Sequence, residues 1–130
     1  LTTAANAPVA LKLGGDPATG YKVSGTKITF TGAGDYFVEI AAQVGGNAAG
    51  NVFLWPRVNG KDVPDSNSIQ TIPAANFTAV LVSQGEMSFK ANETLEFMIG
   101  STVPGLGVVA SKPPGMPTVP ALLVTIFKLL

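Results

Sequence analysis

The sequence predicts an all-β domain of two antiparallel sheets, and three observations support this fold class. Short apolar runs with a period of two recur along the 130 residues. Turn-forming Gly, Pro, Asn and Asp separate these runs, and no window keeps helical spacing without Gly or Pro. The pattern is typical of a sandwich, barrel or jelly roll. We expect residues 9–130 to form this single domain and residues 1–8 to form an extended arm.

The closing run, Pro120–Leu130, determines how we interpret the rest of the chain, because it is apolar on both faces of a strand. Leu122 and Ile126 fall on one face. Leu123 and Phe127 fall on the other. A strand that is apolar on both faces is normally covered on both. A chain this short has little left for a third layer, so we expect a second copy of it to supply the second cover.

The other predicted strands are short and bounded by turn residues. They are Val9–Leu13, Tyr21–Val23, Lys27–Thr31, Tyr36–Val44, Val52–Val58, Lys61–Val63, Phe77–Ser83, Met87–Ala91 and Thr94–Ile99. The run Gly14-Gly15-Asp16-Pro17 ends the first strand, and Asn59-Gly60 predicts a type I′ hairpin turn. Pro56 predicts an edge position or a bulge in its strand. Gln84-Gly85-Glu86 predicts a further turn.

Composition excludes several functions. The chain carries 8 basic and 8 acidic side chains, so its formal net charge is zero, and it has no basic stripe for nucleic acid. Its longest apolar run is interrupted by Lys128 and falls short of the roughly 20 residues that span a bilayer, so we expect no membrane-spanning segment. Only 12% of the residues are charged. The surface should therefore be unusually apolar, which indicates oligomerisation or permanent docking.

The sequence contains no Cys and no His. It therefore cannot build a disulfide, a thiolate metal site, a cysteine nucleophile or a histidine base. Four glutamates remain as candidate acid–base groups, but no spacing among them indicates a catalytic pair. They are Glu39, Glu86, Glu93 and Glu96. We expect no enzymatic activity, no catalytic residue and no cofactor.

Three short motifs have structural explanations that we favour over functional ones. Gly105-Leu-Gly107-Val-Val-Ala110 matches a loose dinucleotide pattern, but the prolines that follow prevent the helix which that pattern needs. Asn76-Phe-Thr78 and Asn92-Glu-Thr94 match the glycosylation triplet, which often arises by chance. We expect a permissive loop at the first motif and a structural role for the other two.

Two further features leave alternatives open. Asp62, Asp65, Ser66 and Asn67 place oxygen atoms close together and could hold Ca²⁺, although they lack the spacing of an EF-hand loop. The alternative is a solvated loop whose side chains bond their own backbone. Trp55 and Arg57 lie on one face of their strand. They form either an exposed recognition surface or a pair packed against a neighbouring loop.

The order of these features resembles the TNF/C1q-like jelly rolls, most closely those of viral and phage structural proteins. The resemblance rests on Ile28–Ile40 and Val52–Asn67, and it continues through Gly85–Phe97 and Leu122–Lys128. Trp55-Pro56 departs from the uninterrupted strand usual in that family. The resemblance implies a ten-strand, two-sheet jelly roll that assembles as a trimer.

In such a trimer the inner sheet contains Tyr36–Val44, Phe77–Ser83 and Leu122–Leu129, with the last strand near the threefold axis. Six apolar side chains should then face the partner subunits. They are Phe37, Ala41, Val80, Val82, Leu123 and Phe127.

We expect a virion structural protein, a homotrimeric decoration or cement protein on the surface of a phage capsid. Its partners would be copies of itself and the major capsid protein. The alternative is the receptor-binding head of a phage tail fibre or spike, with Gly45–Asn51 and Val103–Pro120 as contact loops. A secreted ligand of the C1q or TNF type is a third possibility.

Overall fold

Residues 1–15 and 19–130, which the computed structural model describes, form twelve strands and no helix. The strands are β1 (Thr2–Thr3), β2 (Val9–Ala10), β3 (Tyr21–Ser24), β4 (Lys27–Phe30), β5 (Gly34–Gly46), β6 (Gly50–Val58), β7 (Lys61–Asp62), β8 (Ser68–Ile72), β9 (Thr78–Phe89), β10 (Thr94–Ser101), β11 (Leu106–Val108) and β12 (Leu122–Lys128). They form two antiparallel sheets that pack as a β-sandwich. The predicted all-β, two-sheet class is confirmed.

The first sheet is organised around β5, the longest strand. β9 pairs with one edge of β5 along almost its whole length. β12 and β11 pair with consecutive parts of the other edge, and β1 adds to β11. The prediction that Tyr36–Val44, Phe77–Ser83 and Leu122–Leu129 share a sheet is therefore correct in its essentials.

The second sheet has β10 and β6 at its centre. β4 and β2 pair with different parts of the outer edge of β10, and β3 adds to β4. β7 and β8 pair with different parts of the outer edge of β6. Asn59 and Gly60 join β6 to β7 with φ angles of 50° and 77°, so the predicted type I′ geometry is correct.

The core lies between the sheets and follows the alternation of the strands. Every even-numbered residue of β5 from Tyr36 to Val44 is at most 3% exposed. Leu95, Phe97 and Ile99 of β10 face them from the second sheet. Each strand therefore contributes one apolar face to the interior, as the period of two predicts.

Aromatic rings fill one end of this core. Phe30 and Phe89 stack with centroids 3.7 Å apart and planes 7° from parallel, and Tyr36 meets Phe30 edge-on at 4.7 Å. The Tyr36 hydroxyl donates to the Gly32 carbonyl at 2.6 Å and lies 3.3 Å from the Gly20 carbonyl. This hydroxyl is satisfied by backbone oxygens, so the ring can be fully buried.

Pro56 lies in β6, which is an interior strand of the second sheet rather than an edge strand. It falls between the residues that pair with β8 and those that pair with β7. Its carbonyl accepts from the Val63 amide on that same side. The missing N–H of Pro56 therefore faces the gap between two partner strands, where it interrupts no ladder to β10.

Several predicted boundaries are wrong. Gln84-Gly85-Glu86 is not a turn but lies within β9, paired with β5. The predicted pair Met87–Ala91 and Thr94–Ile99 is not a hairpin, because the end of β9 and β10 belong to different sheets. The first predicted strand shortens to β2, and the predicted break at Asp16 and Pro17 lies outside the described residues.

The N-terminal segment lies on its own domain. β1 pairs with β11, and the Asn6 amide donates to the Ser101 carbonyl at 2.8 Å. Thr3 is buried with its hydroxyl 2.6 Å from that of Ser101. Residues 1–8 thus extend both sheets rather than leaving the molecule as a free arm.

Candidate interaction surfaces

The outer face of the first sheet, on the side away from the core, holds all six residues that the resemblance assigns to subunit contacts. We define this face by the odd-numbered residues of β5 and their register partners. Ala41 lies between Val82 of β9 and Leu123 of β12. Phe37 pairs with Phe127 of β12. Val80 of β9 pairs with Gln43, which lies two residues beyond Ala41 along β5.

The apolar side chains of the outer face are uncovered within the described part of the chain. Val80 and Leu123 are each 62% exposed, Phe127 is 51% exposed and Val82 is 47% exposed. Phe37 and Ala41 are half-buried by these neighbours. Exposed apolar side chains that gather on one face of a domain are typical of an interaction surface.

A polar row crosses the same face between its two apolar rows. Glu39 pairs with Gln84 on one side and Thr125 on the other. Glu86 lies beside Phe37, and Asp35 accepts a hydrogen bond from the Ser88 hydroxyl. The face is therefore apolar with a band of carboxylates, and any surface that covers it must match that band.

The apolar surface continues around the open edge of β12. A groove of about 310 Å³ separates β12 from β3 and β4, and Tyr21, Val23 and Leu13 line its far wall. The inward side chains of β12, Leu122 and Ile126 among them, are only half-buried. β12 is therefore partly uncovered on both faces, whereas its sequence predicts that the core of the domain covers one face, and the described chain supplies no complete second cover.

Trp55 and Arg57 lie on the outer face of the second sheet, opposite the buried residues of β6. Both donate to the same carboxylate oxygen of Asp62, Trp55 through Nε1 at 2.8 Å and Arg57 through Nε at 2.9 Å. The two hydrogen bonds, that of Trp55 first, hold the pKa of Asp62 below its ordinary value. The cluster stays charged and fixes the plane of the indole.

Asp62 was not predicted to be a partner of Trp55 and Arg57, although the sequence contains the signal. A two-residue hairpin at Asn59-Gly60 pairs position 57 with position 62, which is the observed register. The side chains of Arg57 and Asp62 must then meet on one face of the sheet. Trp55 thus bonds a residue of β7 and remains partly accessible.

The candidate Ca²⁺ loop has another organisation. One oxygen of Asp62 is already used by Trp55 and Arg57, and the Ser66 hydroxyl donates to the Val63 carbonyl at 2.7 Å. Asp65 adopts a left-handed φ of 57°. Among residues 1–15 and 19–130, no three His, Cys, Asp or Glu side chains cluster as metal ligands do. The geometry favours the solvated loop.

The remaining motifs occupy structural positions. The Gly105–Ala110 motif contains β11, with no helix after its glycines. Asn76 and Asn92 adopt left-handed φ angles of 65° and 69°, which Asn tolerates better than most residues. Both lie in turns.

The four glutamates are dispersed. Glu96 accepts from the Thr26 hydroxyl at 2.5 Å, and Glu93 accepts from the Lys90 amide. Glu39 and Glu86 lie on the outer face of the first sheet, on β5 and β9. None of these carboxylates is buried.

No protein-family model matches this chain, and no curated protein matches it either. Within the described residues, no helix is long and apolar enough to cross a membrane.

Proposed function

We propose that the protein is a homotrimeric structural component of a virion, which decorates a phage capsid and strengthens the contacts of the major capsid protein. The observation that carries this proposal is the outer face of the first sheet. Six apolar side chains lie together there, and four of them are exposed by about half or more. A trimer would bury this face around its threefold axis.

The strand connections support a jelly roll of the TNF/C1q type. The chain crosses between the sheets from β4 to β5, from β5 to β6, from β8 to β9, from β9 to β10 and from β10 to β11. Repeated crossing of this kind distinguishes Greek-key and jelly-roll sandwiches from meanders. It agrees with the resemblance of Ile28–Ile40 and Val52–Asn67 to viral structural proteins.

The accessible surface also supports assembly. The chain exposes 7190 Å², whereas a folded monomer of 13.3 kDa is expected to expose about 6,450 Å². Charged side chains account for little of this excess surface, because only 12% of the residues are charged. Permanent assemblies bury large apolar interfaces, and this chain offers the surface for one.

In the proposed assembly, the contacts among the three copies and the contacts with the capsid use different surfaces. The first sheet holds the three copies together, and one end of the trimer buries further apolar surface against capsid subunits. The rigid sandwich then links neighbouring capsid subunits without any chemical step. Such a role requires complementary surfaces and no catalytic group.

Two measurements test the proposal. Light scattering on the purified chain should give three times the 13.3 kDa chain mass, and a stable monomer at micromolar concentration would overturn the trimer. A reconstruction of the purified particle should place the trimer on the capsid shell. Density at the end of a tail fibre instead would replace decoration with the receptor-binding alternative.

A further inference from the structure

The outer face of the second sheet carries two aromatic side chains, Phe53 and Trp55, beside a position without a side chain, Gly100. Trp55 of β6 lies opposite Met98 of β10, and Gly100 lies two residues further along β10 on the same face. Met98 is buried although it belongs to this outer face and not to the core cluster. The indole is itself half-buried and borders two neighbouring hollows, which also share Asn67.

The first hollow, of about 200 Å³, has Gly100 as its floor. A Cβ atom at Gly100 would lie 3.4 Å from Cβ of Pro8 and 3.6 Å from Cη2 of Trp55. Pro8 and Trp55 therefore stand as apolar walls on either side of bare backbone. Asn6 and Asn67 lie at the rim.

The second hollow, of about 390 Å³, shares Trp55 and Asn67 with the first, and most of its lining residues are polar. Asp62, Asp65 and Asn67 line it. Among the hydrogen bonds of the described residues, none involves the side chain of Asp65 or Asn67, and Asp62 uses only one of its two carboxylate oxygens. This hollow thus offers several unused acceptors and an amide donor beside an oriented aromatic ring.

We infer that this Trp55 surface is a carbohydrate-binding site, in which a sugar ring stacks on the indole while its hydroxyls bond the side chains of Asp65 and Asn67. A pyranose ring has one face of C–H groups and a rim of hydroxyls. The C–H face is attracted to the negative face of an aromatic ring. The hydroxyls need donors and acceptors that converge around that ring.

Other ligand classes fit this surface less well. An anionic ligand would meet the carboxylates of Asp62 and Asp65, and the guanidinium of Arg57 is already engaged by Asp62. A protein partner would need a wide apolar area, whereas the apolar side chains that line the two hollows are few: Trp55, Pro8, Phe53 and Val63, with Ile69 beside Phe53. A neutral, polyhydroxylated ring matches both the charge and the size of the hollows.

The site does not depend on the proposed trimer. Trp55 belongs to the second sheet, and the proposed subunit contacts lie on the outer face of the first sheet. A trimer built through the first sheet would therefore leave three Trp55 surfaces accessible. Multivalent attachment to a glycan-coated surface would follow, and avidity would raise the effect of weak individual sites.

Tryptophan fluorescence tests the inference directly, because Trp55 is the single tryptophan of the chain. The full chain is titrated with galactose, glucose and N-acetylglucosamine and with their disaccharides lactose, cellobiose and chitobiose, at millimolar concentration. A saturable change in emission with at least one of these sugars is expected. No change with any of them would overturn the inference.

A pair of glycine substitutions shows whether the signal comes from this site. Gly100→Ala fills the floor of the first hollow at ordinary contact distances, and we expect it to weaken sugar binding by about tenfold or more. Gly85→Ala on β9 makes the same chemical change in open space on the other sheet and should leave the affinity unchanged. Equal affinities in both variants, with both folded by thermal unfolding, would contradict the assignment.

Discussion

Phe37 and Phe127 stack on the outer face of the first sheet, with ring centroids 5.0 Å apart and planes at 25°. They are direct register partners on adjacent strands, so the sheet holds the two rings together. Phe127 is nevertheless 51% exposed. The pair is thus ordered before any partner arrives, which lowers the entropy cost of burying it in an assembly.

Phe127→Asp should convert the proposed trimer to a monomer. Burying one phenylalanine side chain contributes about 1.5–3 kcal/mol, and a trimer buries three copies. The concentration for half-dissociation of a trimer varies as the square root of its dissociation constant, so we expect it to rise by about two to three orders of magnitude. Light scattering over a dilution series measures this change, and circular dichroism verifies that the sheets persist.

Ile69→Asp provides the matched control for Phe127→Asp. Ile69 is 56% exposed, but it lies on β8 of the second sheet. The same introduction of charge at a comparably exposed apolar position should leave the mass unchanged. If both variants stay trimeric, or if both become monomeric, the outer face of the first sheet is not the interface.

The elements that the sequence predicts well are those with strong local signals. β5 and β12 follow from uninterrupted period-two runs, and the β6–β7 hairpin follows from Asn59-Gly60. These signals lie within one strand or one turn. Their physical cause is therefore contained in neighbouring residues, and sequence alone suffices.

The errors occur where distant partners decide the structure. Gln84-Gly85-Glu86 has turn composition, yet β5 pairs with each of these residues and keeps the chain extended. Leu106–Val108 lies in a Gly- and Pro-rich segment and becomes a strand because β5 and β1 flank it. Sequence patterns describe local preference, and ladder formation with a distant strand can override it.

Of the candidate sites, one is indicated by local sequence and the other is created only by the fold. The faces of Leu123 and Phe127 follow from the period of β12 alone. The hollow beside Trp55 depends on Pro8 and Gly100, which are far from Trp55 in sequence and meet it only through the fold. No local pattern indicates that a missing side chain at Gly100 creates a cavity beside an aromatic ring.

Tyr36→Phe should destabilise the domain by about 0.5–1.5 kcal/mol, because the half-buried Gly32 carbonyl loses its hydrogen bond from the Tyr36 hydroxyl, whereas the Gly20 carbonyl keeps the Thr31 amide as a donor. The hydroxyl of Tyr36 now bonds the Gly32 carbonyl and approaches the Gly20 carbonyl. The same hydroxyl leaves no room for a side chain at Gly20. A Cβ atom there would lie 2.7 Å from the hydroxyl oxygen and 3.5 Å from the nearest ring atoms of Tyr36. Urea unfolding measures the loss.

Gly20→Ala should cost less stability in the Tyr36→Phe background than in the wild type. Removing the hydroxyl removes the closest contact, while the strain from a φ of 95° remains in both backgrounds. A coupling free energy of about 0.5–3 kcal/mol is expected from the double-mutant cycle. Gly25→Ala, with a φ of 63° and no neighbour within 4 Å, should show no coupling to Tyr36→Phe.

Glu93→Gln should reduce stability at neutral pH and flatten the dependence of stability on pH. The Lys90 amide and the Asn59 side chain both donate to Glu93 at 2.6 Å, and the Lys90 bond is the larger cause that lowers its pKa. A carboxylate with a lowered pKa stabilises the fold above its ordinary pKa of 4.5, and this stability is lost as pH falls through the folded pKa.

The difference between wild type and Glu93→Gln should therefore shrink on acidification below pH 4.5. Thermal unfolding across the acidic range measures it. Glu86→Gln is the control, because no hydrogen bond to the Glu86 carboxylate occurs among residues 1–15 and 19–130. A constant difference between wild type and Glu93→Gln at all pH values would contradict the assigned cause.

Acidification should also change the emission of Trp55 through Asp62. Protonation of Asp62 weakens its hydrogen bonds to the indole and to Arg57, and those bonds lower its pKa. The transition midpoint should thus lie below the ordinary value of 3.8. Asp62→Asn should abolish the transition while ellipticity reports a folded chain, and Asp65→Asn should retain it. A transition that persists in Asp62→Asn would assign it to another group.

Gly107→Ala should detach β1 from the first sheet. A Cβ at position 107 would lie 2.0 Å from the Leu1 carbonyl oxygen and 2.9 Å from Cα of Thr2, so backbone must move to admit it. The Val108 amide donates to the Leu1 carbonyl at 3.0 Å, whereas the Val109 amide donates to Gln43 of β5 at 2.9 Å. Hydrogen exchange at Val108 should therefore accelerate by about tenfold or more, and exchange at Val109 should change little. Equal protection of Val108 in the variant and the wild type would mean that β1 does not lie against β11 in solution.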